Sequence, residues 1–182
     1  MKKSKDLLIL DLDNTLIAAV HSVYIDGIDY PSDFISNNHH VNMRPYLQKF
    51  MEYALINWRV GIWTAATREY AEGILIKCNI DINKFEFIKV REDCTKGTDI
   101  DFSPIYIKDL STLNEDLSRV ILIDDKKESA QKHLDNIIII PAYISAAQTA
   151  DNRLLKLIDY LEELKKTKDF RSICKNTQEI FA

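Results

Sequence analysis

Two aspartates two residues apart, Asp11 and Asp13, stand in the segment D-L-D-N-T-L directly after the apolar run at residues 7–10. Three further sites capable of chemistry share that setting. Thr64 follows the run at residues 60–63, Lys108 follows the run at 105–107, and Asp124 with Asp125 follows V-I-L-I. Taken singly, each is an ordinary turn former, helix cap or surface charge. Together they place carboxylates, a hydroxyl and one cation at the carboxyl ends of successive apolar runs, an inventory suited to phosphoryl transfer onto a carboxylate nucleophile.

Electrostatics explains why those types belong together. A carboxylate approaching a phosphate at about 4 Å is repelled by roughly 4 kcal/mol per charge pair at an effective dielectric of about 20, so a cation must offset it. Mg²⁺ suits an all-oxygen site and is usually held by one or two carboxylates with waters and the substrate phosphate, which matches Asp11 with Asp124 or Asp125. Lys108 would add a second positive charge. The Thr64 hydroxyl and the backbone N–H groups after it, beginning at Ala65, would receive the phosphoryl oxygens where charge collects in the transition state.

The elements that must position these groups are legible as periodicities. Strands are expected at residues 7–10, 60–63, 85–90, 120–123 and 137–140, each mostly apolar or β-branched and followed by polar residues. Pro45 suits a first helical position, ahead of the stripe Leu47, Phe50, Met51, Ala54 and Leu55. Thr67 would cap the stripe Tyr70, Ala71, Ile74, Leu75 and Cys78, and Leu154, Leu157, Ile158, Leu161 and Leu164 mark a third helix. Strands alternating with helices predict an α/β fold, a Rossmann-like parallel sheet with helices on both faces and the chemical groups at one edge of that one sheet. Residues 18–42 and 91–107 break the alternation and read as small β-hairpin insertions.

Composition narrows the function classes. The chain has 182 residues, 46% hydrophobic and 29% charged, which predicts a single folded domain over residues 1–182. With 24 Lys plus Arg against 28 Asp plus Glu, the net charge of -4 disfavours duplex nucleic acid as a partner. Four scattered Gly cannot build a P-loop or a dinucleotide turn. Three Cys without a C-x-x-C pair argue against a disulfide scaffold or a thiolate zinc site, and none has the Arg six residues later that a cysteine phosphatase requires. The adjacent pair His39 and His40 points in diverging directions and is expected in a loop. No apolar stretch is long enough to span a membrane, so the expected location is cytoplasmic, or nuclear in a eukaryote.

In their order along the chain, D-L-D-N-T-L, Thr64, Lys108 and the Asp124–Asp125 pair resemble the four motifs of the haloacid dehalogenase superfamily of phosphotransferases. The match is closer to one branch, the small phosphatases that act on the C-terminal tail of RNA polymerase II, the nuclear LIM interactor-interacting factor family. Segments similar to that branch cover nearly the whole chain: V-N-M-R-P-Y-L at residues 41–47, W-T-A-A-T-R-E-Y-A at 63–71, V-R-E-D-C at 90–94, Y-I-K-D-L-S-T-L at 106–113, then V-I-L-I-D-D and D-N-I-I-I-I-P.

The resemblance implies a role for each matching residue. Asp11 would be the nucleophile that forms an aspartyl-phosphate, and Asp13 the acid that protonates the leaving alkoxide and the base that then activates water. For this, burial should raise the pKa of Asp13 while Mg²⁺ and Lys108 hold Asp11 ionised. Thr64 and Lys108 match phosphate-binding positions. Asp124 and Asp125 match the metal motif, to which the backbone carbonyl of Asp13 would add a ligand, and Tyr70 with Arg91 match positions that flank the peptide. An uncapped haloacid dehalogenase fold is implied, open to a phosphorylated protein or peptide.

One departure bears on substrate choice. The family's last motif commonly reads Asp-Asn followed by Ser, where this chain has Asp124, Asp125, Lys126 and Lys127. Two alternatives remain at this level: a phosphatase for small metabolites or nucleic-acid ends, and a catalytically silent binding module on the same fold.

Overall fold

The computed structural model describes residues 6–98, 102–172 and 180–181; Cys174 and the residues 99–101 of the second expected hairpin lie outside them. In chain order the strands are β1 (Leu7–Leu10), β2 (Ile17–His21), β3 (Phe34–Ser36), β4 (His39–Met43), β5 (Arg59–Trp63), β6 (Phe87–Lys89), β7 (Thr95–Thr98), β8 (Pro104–Ile107), β9 (Val120–Asp124) and β10 (Ile137–Ile139). The α-helices are α1 (Leu47–Asn57), α2 (Arg68–Lys77) and α3 (Arg153–Leu164).

All four residues of β1 are buried because the strand lies at the centre of a parallel five-stranded sheet, ordered β10-β9-β1-β5-β6. The five expected core strands are those of this sheet, with the third shortened to Phe87–Lys89 by a 3₁₀ turn at Ile82–Lys84. From β1 the chain winds outward through β5 and β6, then returns to place β9 on the opposite flank of β1. The winding direction reverses between β1 and β9, the point at which such sheets open a crevice beyond their strand ends.

Successive residues of a strand face opposite sides, and the core divides accordingly. Leu8, Leu10, Val60, Ile62, Ile121 and Ile123 pack with the buried residues of α1, α2 and α3. Leu7, Ile9, Trp63, Val120 and Leu122 pack on the other face with Leu110 and Ala130, which belong to the 3₁₀ turns Leu110–Leu113 and Lys127–Ala130. Both faces are thus covered by helical turns, but the three α-helices share one of them. Gly61 in β5 lies opposite Phe87 in β6, and a Cβ there would collide with the Phe87 ring.

Helix α1 begins at Leu47 and not at Pro45. The Leu47 N–H donates to the Arg44 carbonyl at 3.1 Å, and Tyr46 takes φ 67° and ψ 14°. Pro45 therefore opens a turn of type II character, whose next residue must adopt positive φ, and the helix starts after it. Thr67 occupies the N-cap position of α2, but its side chain makes no capping hydrogen bond.

The first insertion is larger than a hairpin. Strands β2, β4 and β3 form a three-stranded antiparallel sheet, whose β3–β4 turn carries Asn37 and Asn38 at φ 47° and 59°, the left-handed pair that a tight hairpin turn requires. His39 and His40 accordingly lie in β4, not in a loop. The second insertion is the expected hairpin, β7 with β8. This corrects one placement: Lys108 follows β8, a strand of that separate two-stranded sheet and not of the central one, and its N–H is fixed by the Ser129 carbonyl at 2.7 Å.

Candidate active site

Asp11 leaves β1 with its N–H still donating to the Ile123 carbonyl at 3.0 Å, so its backbone prolongs the parallel pairing with β9. Directly after it the chain turns back on itself. Leu16 N–H donates to Leu12 O at 2.9 Å and Asn14 N–H to Ile17 O at 2.7 Å, with Asn14 at φ 60°. This turn holds Asp13 beside Asp11 at the mouth of the switch point.

The Lys108 ammonium lies 2.6 Å from Asp11 Oδ1 and 2.6 Å from Asp124 Oδ2. All three residues are buried, Lys108 and Asp124 to 1% exposure and Asp11 to 7%. The other Asp124 oxygen accepts the Lys126 N–H at 2.8 Å and the Ser129 hydroxyl at 3.2 Å. On the opposite flank, Thr64 N–H donates to Lys89 O at 3.0 Å, and Thr64 Oγ1 accepts the Ala66 N–H at 3.1 Å. The sharp turn that follows β5 is thereby set at Thr64, Ala65 and Ala66.

Tyr70, in the first turns of α2, donates its hydroxyl to Asp13 Oδ1 at 2.5 Å. Arg91 follows β6; its Nε donates to the Ala65 carbonyl at 2.8 Å, and its guanidinium carbon sits 5.5 Å from the centre of the Tyr106 ring. Asp11, Asp13, Thr64, Ala65, Tyr70, Arg91, Lys108, Asp124 and Asp125 all line one cleft of about 830 Å³. Every site residue singled out from the sequence is in it.

Burial governs the electrostatics. It pushes the Asp11 carboxyl up to about 7, against the pull of Lys108 and with Asp124 acting in the same direction as burial. Lys108 favours the ionised form, as expected, but does not by itself offset desolvation; the ionised Asp11 expected of Mg²⁺ and Lys108 together would need the metal's charge as well. Burial also raises Asp13, as expected, while the Tyr70 hydroxyl and His39 act to lower it. Asp125 is raised by burial and by its neighbour Asp124. For Lys108, burial favours the neutral amine, but Asp11 and Asp124 prevail and hold its pKa above the ordinary lysine range.

Four carboxylates around one buried ammonium leave an excess of negative charge. Asp11, Asp124 and Asp125 each offer an oxygen, all lying within 4.8 Å of one another. A site built wholly of carboxylate oxygens suits a hard divalent cation, so the donor set fits the metal that the sequence implies.

Some lining residues were not among the site residues expected from the sequence: Asn14, Asn37, Asn38, His39, Lys126 and Ser129, although Lys126 stood in the departure that bears on substrate choice. His39 illustrates why. Its ring lies 4.8 Å from that of His21, its cross-strand partner, and 4.9 Å from that of Tyr70, the second a meeting created by folding the β2–β4–β3 sheet against α2. His40, one residue on, faces Tyr30 and Ser32 on the other side of that sheet. Ser129 had a weak local signal, a hydroxyl five residues beyond Asp124 on the same returning turn.

Comparisons with known proteins agree with this geometry. The family model described as NLI interacting factor-like phosphatase matches residues 6–171. CTD nuclear envelope phosphatase 1B of Danio rerio is 31% identical over 186 residues, spanning 93% of this chain and 71% of its own length. Carboxy-terminal domain RNA polymerase II polypeptide A small phosphatase 2 of Mus musculus is 29% identical over 170 residues, spanning 88% of this chain and 58% of its own. Nuclear envelope morphology protein 1 of Schizosaccharomyces pombe is 29% identical, with 94% of this chain and 36% of its own length covered. Among solved structures, that of the fission yeast RNA polymerase II CTD phosphatase Fcp1 bound to beryllium fluoride superposes with a TM-score of 0.59 at 15% identity, covering 96% of this chain and 62% of that one. At that identity the likeness establishes the haloacid dehalogenase fold. No helix among the described residues is long and apolar enough to cross a membrane. With a family model that runs through all four motifs and nearly the whole chain, the protein belongs to the NLI interacting factor-like phosphatases.

Proposed function

We propose that the chain is a Mg²⁺-dependent phosphoserine/phosphothreonine protein phosphatase working through an aspartyl-phosphate on Asp11. The observation that carries this reading is the buried Lys108 ammonium shared at 2.6 Å by Asp11 and Asp124, in a cleft that also presents Asp13, Thr64 and Asp125.

A carboxylate oxygen of Asp11 attacks phosphorus, and the bond from phosphorus to the ester oxygen breaks. Asp13, its carboxyl raised by burial, gives its proton to that departing oxygen. The product leaves as an alcohol and the phosphoryl group stays on Asp11. Asp13, now a carboxylate, takes a proton from water as the water oxygen attacks phosphorus, the bond to Asp11 breaks, and inorganic phosphate is released. Lys108, the Thr64 hydroxyl and the N–H groups of the turn at Ala65 orient the phosphoryl oxygens and oppose their charge. Mg²⁺, held by Asp11, Asp124 and Asp125 with the Asp13 carbonyl, would neutralise the approach of the phosphate to these carboxylates and favour ionised Asp11.

The open cleft and the phosphatases acting on polymerase tails among the relatives support a phosphoprotein substrate over a small metabolite or a nucleic-acid end. The nuclear-envelope names of other relatives favour a nuclear setting over a purely cytoplasmic one, which imaging of a tagged chain would check.

Hydrolysis of an aryl phosphate should require Mg²⁺ and vanish in Asp11→Asn, and beryllium fluoride should be held at Asp11. Asp13→Asn should still bind phosphate while losing turnover most on alkyl esters. Activity that survives a chelator or the Asp11 substitution would overturn this route, and a marked preference for sugar phosphates would overturn the protein substrate.

A further inference from the structure

We propose that Lys126 makes the cleft selective for phosphopeptides carrying a second anionic group, a carboxylate or another phosphate, one or two residues from the phosphorylated side chain. The inference deepens the phosphatase reading and rests on it.

Lys126 lines the same cleft as Asp11 and Asp13, and its backbone N–H is tied to Asp124 Oδ1 at 2.8 Å. The root of the side chain is therefore fixed to the residue that also binds Lys108. Its side chain is exposed, and among the described residues it forms no salt bridge. In the phosphatase reading Asp125 is committed to the metal, which leaves this ammonium as a cation at the mouth facing incoming substrate.

Topology gives the reading frame. β9 borders β1 on one side, while β6 lies two strands away on the other. With neighbouring strands about 4.8 Å apart, Lys126 is rooted roughly 5 Å to one side of Asp11 along the sheet edge. Arg91, which follows β6, is held by the Ala65 carbonyl on the other side. An extended peptide advances about 3.3 Å per residue. A peptide that runs along the sheet edge with its phosphoryl group on Asp11 would bring a side chain one or two residues away to Lys126. On the other side Glu69 lines the cleft together with Arg91, so the positive charge there has an acidic neighbour.

The test compares three phosphoserine peptides with the full chain in Mg²⁺: one with neutral flanks, one with Glu beside the phosphoserine, and one with a second phosphoserine there. The unmodified chain should favour both acidic peptides in kcat/KM by about threefold, the size expected of an exposed charge pair, with the preference shrinking at high salt. Lys126→Gln should bring the ratio near one, and Lys126→Glu should reverse it. Equal ratios in all three proteins, with hydrolysis retained, would overturn the assignment to Lys126 and leave the phosphatase reading standing. Failure to hydrolyse any peptide or an aryl phosphate would overturn that reading and this inference with it.

Discussion

The Tyr70 hydroxyl lies 2.5 Å from Asp13 Oδ1, so a residue matched by sequence to the peptide-flanking position is bonded to the candidate general acid. Its ring is held in turn by the edge-on ring of His39. This arrangement fixes the position of the Asp13 carboxyl in the cleft. Tyr70→Phe should slow kcat on alkyl phosphates by up to about tenfold, the worth of one lost hydrogen bond to a neutral carboxyl, and slow aryl phosphates less because their leaving oxygen needs no proton. A rise in KM that is equal for both ester types would instead assign Tyr70 to substrate binding alone.

Lys108 compensates two buried carboxylates at once. Lys108→Met would leave Asp11 and Asp124 desolvated without a counter-charge, destabilising the fold by about 3–5 kcal/mol. Added Mg²⁺ should raise the melting temperature of this variant more than that of the unmodified chain, because a divalent ion would take over the lost compensation. An unchanged melting temperature without metal would show that the ammonium contributes nothing net to folding.

Arg44 and Asp151 form a fully buried ion pair across 107 residues of sequence. The Arg44 guanidinium also donates to Thr15 O at 2.8 Å and Pro141 O at 2.7 Å, while Arg153 adds a second cation 2.7 Å from Asp151. Burial works to raise the Asp151 carboxyl, but these two arginines prevail and hold it below the usual carboxylate range. A depressed folded pKa means stability that is present above the unfolded value of about 3.9 and lost as the pH falls through the folded one. Asp151→Asn should therefore lower stability at pH 7, by about 3–5 kcal/mol for a broken buried pair. In urea titrations the gap to the unmodified chain should narrow toward pH 2; a gap independent of pH would contradict the linkage.

Gly61 admits the Phe87 ring over the backbone of β5. Gly61→Ala forces that ring aside and should cost about 1–3 kcal/mol through overpacking, with part recovered in the double variant Gly61→Ala with Phe87→Leu. Denaturant midpoints measure both, and a neutral Gly61→Ala would show that the half-buried ring moves freely.

The chemical groups and their order were readable from the linear chain because each sits where an apolar run stops, and a strand end is a local property of composition and period. That rule located Asp11, Thr64 and Asp124 at the carboxyl edge of the sheet. The α-helical stripes at Phe50, Ile74 and Leu157 likewise followed from spacing alone. What spacing does not contain is which surfaces meet. That all three α-helices share one face, that Lys108 reaches the site from a separate hairpin, that Arg44 finds Asp151, and that His39 leans on Tyr70 depend on contacts between segments as much as 107 residues apart. These were decided only by the tertiary structure, in which burial of both sheet faces and pairing of buried charges had to be satisfied together.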